Sequence, residues 1–213
     1  MRTDELVTML ATGAGAVDRR APVRRYAIAI GSSVAVAAAL MAVWLGVRPD
    51  LIRDLSVPMV WVKFVFIACL FFGALLAVFH LGRPGAPLSK MPGILAAPVL
   101  ARWALAIVAL VGAEPTQRPE LVLGQTWAAC PFRIATLSTP VFAAALWAMK
   151  GLAPTRLRLA GAAAGLLAGA AGAFVYAFHC PELAAPFLGV WYVLGMSIPT
   201  AVGALIGPRA LRW

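Results

Sequence analysis

PMVWVKFVFIACLFFGALLAVF, residues 58–79, decides the fold: it is long enough to cross a bilayer as a helix, and its single charged side chain is Lys63. A membrane helix takes roughly 20 mostly apolar residues, because about 30 Å of hydrocarbon is crossed at 1.5 Å per residue. Five more runs of this kind stand at Tyr26 to Val47, Ile94 to Gly112, Ile134 to Met149, Leu159 to Phe178 and Phe187 to Ile206. Alanine, leucine and glycine dominate them without period-2 alternation, which favours helices over barrel strands. The expected fold is all-α and polytopic, with six transmembrane helices across residues 26–206. A tail of residues 1–25 precedes them and a short tail of residues 207–213 follows.

The chain is 62% apolar and 12% charged over 213 residues, which fits neither a soluble domain nor a disordered one. Its net charge of +10 would suggest nucleic acid in a soluble protein. Position along the chain answers otherwise. One set of alternate connections holds Arg2, Arg19, Arg20, Arg24, Arg25, Arg83, Lys90, Lys150, Arg156, Arg158, Arg209 and Arg212, against Arg48, Arg53, Arg118 and Arg133 in the other set. Asp50, Asp54, Glu114, Glu120 and Glu182 all fall in that second set. This is the positive-inside asymmetry, and it places both termini in the cytoplasm without direct contact to nucleic acid. The first 25 residues are too polar and too long for a signal-peptide n-region, so the first run reads as an uncleaved anchor.

No connection is long enough to bury a core, so any cytoplasmic partner must be met by the tail and short loops. In the tail, Thr3 reads as an N-cap, and Asp4 and Glu5 suit the positive end of a helix. Leu6, Val7, Met9 and Leu10 line one face, and Gly13 and Gly15 stop the helix. A helix of about ten residues is marginal alone in water, so it orders against a membrane or a protein. Its acidic start favours a protein over lipid. The stretch Gly82 to Pro92 is too rich in glycine and proline for a helix and reads as an irregular connector with room for a binding surface. Gly161, Gly165 and Gly169 recur every four residues on helix five, a pattern that serves either internal packing or a homodimer face.

Cys69 lies within helix two and reads as a small apolar packing residue. Cys130 precedes helix four and Cys180 follows helix five, on the extracytoplasmic side, each directly before a proline that restricts its backbone. Two thiols in an oxidising compartment can form a structural disulfide or act as a thiol-reactive sensor. With His179 beside Cys180 they also offer three ligands to zinc or a softer metal ion. The residues leave these alternatives open, and no motif demands a cofactor.

Lys63 and Arg102 are the only charges within the runs, and no acid accompanies them. Lys63 is close enough to the outer end of helix two to snorkel, whereas Arg102 must find backbone carbonyls, lipid phosphate or a wet crevice. His80, at the cytoplasmic end of helix two, reads as an ordinary interfacial histidine. Proton-coupled transporters place carboxylates or histidines near the midplane at broken helices, and Pro98 of helix three could mark such a break, but no acid stands beside it. GxSxG, HExxH, phosphate-loop and Cys-x-x-Cys patterns are all missing, so the chain does not read as an enzyme. A small transporter or thiol-active membrane enzyme using Arg102 or the outer cysteines is the rival class, and a purely structural membrane subunit is a third.

Nearly the whole chain resembles the six-helix membrane anti-sigma factors of the negative-regulator-of-sigma-F (NrsF) type, found in proteobacterial inner membranes. The likeness rests on the order and spacing of Thr3-Asp4-Glu5-Leu6, Gly124-Gln125-Thr126-Trp127 leading to Cys130-Pro131, Ala153-Pro154-Thr155 and the glycine-rich fifth helix. It continues through His179-Cys180-Pro181-Glu182, Trp191-Tyr192-Val193-Leu194-Gly195 and the ending Gly207-Pro208-Arg209 to Leu211-Arg212-Trp213. The resemblance implies a protein that holds an extracytoplasmic-function sigma factor at the inner membrane and releases it under envelope stress. It further implies that Cys130 and Cys180 are a periplasmic pair needed for regulation. The segment containing Thr3, Asp4, Glu5, Leu6, Val7 and Leu10 would contribute to sigma binding.

Overall fold

In hydrocarbon every backbone N–H and C=O must be paired within the protein, so a chain of this composition folds as helices joined by short turns. The computed structural model describes residues 2–12, 21–83, 90–152 and 154–212. The helices are α1 (Thr3–Thr12), α2 (Ala21–Trp44), α3 (Leu51–Asp54), α4 (Pro58–Leu81) and α5 (Met91–Gly112). They continue as α6 (Arg118–Leu123), α7 (Cys130–Lys150), α8 (Leu157–Tyr176) and α9 (Ala185–Ala210). Six of them, α2, α4, α5, α7, α8 and α9, are long and apolar enough to cross a membrane, and no strand occurs among the described residues. The all-α, six-span expectation therefore holds.

At the sites of local disagreement, backbone chemistry supplies the reason. Arg2, rather than Thr3, is the N-cap of α1: its carbonyl takes the first helical hydrogen bonds, and its N–H donates to the Glu5 carboxylate at 3.2 Å. Cys130 does not precede α7 but begins it, because Pro131 falls in the first turn, where its missing N–H costs nothing. Helix α5 runs through Pro98 unbroken. Gly13 and Gly15, together with Pro84, Gly85 and Pro87 of the connector, lie outside the described residues.

The most buried spanning helix is α8, with α9, α7 and α4 packed around it. Its glycines decide the closeness of that packing. A Cβ on Gly161 would strike the Gly203 carbonyl, one on Gly165 the Pro199 carbonyl, and one on Gly169 would lie 2.9 Å from the Met196 Cα. The four-residue glycine row thus packs internally against α9, backbone on backbone. On the adjoining face Gly172 admits α7 at Ile134 and Ser138. Lipid tails are as apolar as the side chains, so van der Waals contact at such seams, rather than escape from water, holds the helices together.

The connections gather at two ends. At one, Gly82 meets Leu152, and the Arg25 guanidinium lies 3.9 Å from the centre of the Trp147 ring. At the other, the segments 45–57 and 124–129 each bond to the segment 177–184. Near that second end α9 carries a π-helical turn, Leu188–Tyr192, whose wider winding releases the Gly189 carbonyl to accept from the Trp103 indole at 2.9 Å.

Candidate functional site

Cys180 lies just beyond the end of α8, and Cys130 opens α7. Because α7 packs along α8 through Gly172, these two ends arrive together, and both cysteines are fully buried. Their thiols are neighbours and remain free rather than disulfide-bonded. Thr126 Oγ1 stands 4.0 Å from the Cys180 sulfur, and the Tyr192 hydroxyl adjoins it from the π-helical turn.

Lys63 does not snorkel to the membrane surface. It is 1% exposed, and its ammonium turns into the protein, donating to the Cys180 carbonyl at 2.8 Å and to the Glu182 carbonyl at 3.1 Å. The same ammonium lies 5.2 Å from the centre of the Tyr192 ring. Arg48 adds a second cation to the Cys180 carbonyl at 3.5 Å while pairing with Asp54 at 3.0 Å. A carbonyl facing two cations anchors the segment that carries the sulfur. The Cys130 thiol, donating to the Cys180 sulfur, holds it well below the ordinary thiol range, and Lys63 and Tyr192 act in the same direction against burial.

His179 faces away from the sulfurs. Its Nε2 is 3.3 Å from Arg133 Nη1, and its Nδ1 is 2.9 Å from the Gly46 carbonyl. A guanidinium only donates, so Nε2 accepts and Nδ1 carries the proton given to Gly46. Both ring nitrogens are engaged, so of the three ligands suggested for a metal only Cys130 and Cys180 converge. Among the described residues no group of three or more His, Cys, Asp or Glu is arranged to hold a metal ion.

Three motifs separate in sequence meet here. The Glu182 carboxylate accepts from the Gln125 N–H at 2.7 Å. Gly124 makes that approach possible: its φ is +55°, and a Cβ on it would lie 2.7 Å from the same carboxylate. The Trp191 indole donates to the Val122 carbonyl at 2.8 Å and stacks at an angle on Trp127, and Gly195 packs on Ile134 beside Cys130. The strings Gly124-Gln125-Thr126-Trp127, His179-Cys180-Pro181-Glu182 and Trp191-Tyr192 are thus pieces of one site.

Lys63, Gly124, Gln125, Glu182 and Tyr192 went unassigned on sequence. A lone amine in a span without any acid was the available signal for Lys63. Arg102, in contrast, takes no backbone carbonyl, the first of the three partners expected for it: it is 2% exposed, no nitrogen of its guanidinium has a partner among the described residues, and Phe66 lies 5.7 Å away. Cys69 is exposed on α4, away from the pair. Helix α1 buries none of its residues, and Leu6, Val7, Met9 and Leu10 stand open on it.

The family described as "Negative regulator of sigma F" (NrsF) matches residues 10–213. A protein of Azospira oryzae named "Probable anti-sigma-F factor NrsF" is 56% identical over 213 residues, and one of Caulobacter vibrioides named "Anti-sigma-F factor NrsF" is 39% identical over 215, each covering all of both chains. No solved structure matches the chain. With the match extending over nearly every residue of the bundle and its thiol end, the chain belongs to the negative regulator of sigma F family.

Proposed function

We propose that this protein is a membrane-bound anti-sigma factor. It holds a sigma factor of the extracytoplasmic-function class inactive at a bacterial inner membrane and releases it when envelope stress acts at Cys130 and Cys180. The end-to-end similarity to two proteins named as anti-sigma-F factors carries this reading. Its partners are a sigma factor and membrane lipid; DNA is not contacted directly, and no catalytic step is involved.

The charge asymmetry of the connections supports both termini lying in the cytoplasm, with the thiol end in the periplasm. Six crossings put the two ends of a chain on one side. Helix α1 then offers the sigma factor an open apolar row, Leu6, Val7 and Leu10, beside the polar start formed by Thr3, Asp4 and Glu5. Consuming the Cys180 sulfur removes the charge balancing Lys63 on α4 and disturbs the carbonyl clamp on the segment after α8. Each of these helices runs to the opposite end of the bundle. A difference of about 1.4 kcal/mol between the two thiol states is enough for a tenfold change in sigma affinity.

The test is capture of the cognate sigma factor by the detergent-solubilised protein. Wild type is expected to capture it in a thiol-dependent manner, and deletion of residues 3–12 to abolish capture. Equal capture by a Cys130→Ser, Cys180→Ser double variant under reducing and oxidising conditions alike would remove thiol sensing from the function. No capture by the wild type would overturn the anti-sigma reading in favour of a transporter or membrane enzyme.

A further inference from the structure

We infer that Cys180, not Cys130, is the nucleophilic sulfur of the pair, and that Lys63 is the positioning residue that steadies its thiolate. The inference deepens the sensing role proposed above and rests on that reading for its physiological meaning. The two cysteines are equally buried, so exposure does not distinguish them. Their surroundings do. Cys180 belongs to the segment whose carbonyls, at residues 180 and 182, are gripped by the Lys63 ammonium. No hydrogen bond of that ammonium runs to the Cys130 backbone.

A buried ammonium in a span is stabilised by negative charge nearby; the spans supply no acid, and the Glu182 carboxylate of the adjoining segment is engaged by the Gln125 N–H. Carbonyl oxygens provide only partial charge. The Cys180 sulfur, on the residue the ammonium already holds, can provide a full one as thiolate. Every element packed here contributes a group. Lys63 comes from α4, Arg48 from the turn after α2 and Cys130 from α7. Tyr176 comes from α8 and Tyr192 from α9, while Glu182 and His179 belong to the cysteine's own segment. Lys63 and Arg48 are the cations in contact with that segment's backbone, whereas the Arg133 guanidinium is turned to His179. Thr126 Oγ1 stands 4.0 Å from the Cys180 sulfur and Lys63 holds the Cys180 carbonyl, so the polar contacts at the pair gather on Cys180. Of the two sulfurs, the one carried as thiolate is the nucleophile.

Limiting iodoacetamide tests the assignment on the full-length protein in detergent, in a Cys69→Ala background that removes the exposed third thiol. The attacking thiolate forms a sulfur–carbon bond as the carbon–iodine bond breaks and iodide leaves, and peptide mass spectrometry identifies the sulfur that carries the acetamide. Cys180 is expected to be alkylated first, at a rate that persists below the pH range of ordinary thiols. Lys63→Met is expected to slow it about tenfold or more at neutral pH and to move the rate profile upward in pH, whereas Lys63→Arg keeps most of the rate. Should Lys63→Met fail to fold, the wild-type order of labelling and the Lys63→Arg profile decide. Preferential labelling of Cys130, equal labelling, labelling of neither, or a Cys180 rate indifferent to Lys63 would each overturn the inference. Sigma capture is measured on the same preparations. Its absence in wild type condemns the anti-sigma reading while the labelling result stands independently.

Discussion

Along α8 the chain meets its neighbours through shape, and just beyond the end of that helix it meets them through charge. The seam of Gly161, Gly165 and Gly169 against α9 sets glycines directly on the backbone of Gly203, Pro199 and Met196. At the thiol end, by contrast, one ammonium, one carboxylate and two indoles each reach a named backbone group. Close packing has one good arrangement and fails sharply when volume is added. A polar cluster has several weaker links, and the ionic state of one sulfur influences the rest. On the function proposed above, the glycine seam serves as a rigid shaft and the thiol end as its chemically responsive part.

The largest expected effect breaks the shaft. Gly165→Leu drives a side chain into the Pro199 carbonyl and the Thr200 backbone, neither of which can yield without moving α9. The expected cost is about 4 kcal/mol or more, read as loss of the monodisperse peak in detergent chromatography. Gly31→Leu is the control, since nothing lies within 4 Å of a Cβ there, and it should leave that peak in place. A well-behaved Gly165→Leu protein would mean that the seam is not the rigid element.

A smaller effect belongs to the polar end. Glu182→Gln keeps the shape but removes the charge that the Gln125 N–H meets at 2.7 Å. Because the pair is partly exposed, a loss of about 1–2 kcal/mol is expected, seen as a lower thermal midpoint with the chromatographic peak intact. A Glu182→Gln penalty as large as that of Gly165→Leu would dissolve the distinction between the two regions.

How legible these regions were follows from the same physics. The six spans were readable because bilayer thickness fixes helix length, and the glycine row because four-residue spacing lines up one helical face. Which way Lys63 pointed was not readable. In a soluble helix an apolar stripe marks the inner face, but α4 is apolar all round, so sequence could not tell lipid from protein, and snorkelling was the wrong reading. The meeting of Cys130 with Cys180, and of Gly124 with Glu182, depends on how α7 and α9 dock on α8, information spread across three helices. The two strings were visible, but their contact was not. His179 looked like a ligand beside Cys180, yet the turn after α2 brings Gly46 to one of its nitrogens and α7 brings Arg133 to the other.

The smallest expected effect sharpens the comparison from within, because α4 and α5 each carry one buried cation. Lys63 is tied to two carbonyls, whereas none of the Arg102 nitrogens has a partner among the described residues, although Tyr192 lies near both residues. Replacing a buried charge by an apolar side chain of similar volume is neutral or stabilising by about 1–4 kcal/mol when no buried partner is left behind. Arg102→Met meets that condition; Lys63→Met does not, since it strands the carbonyls of Cys180 and Glu182. Arg102→Met should therefore raise or preserve the thermal midpoint, with iodoacetamide labelling of Cys180 and sigma capture unchanged. A large loss of stability, or of capture, in Arg102→Met alone would place this arginine in the responsive part of the molecule and move the boundary between shaft and sensor into the middle of α5.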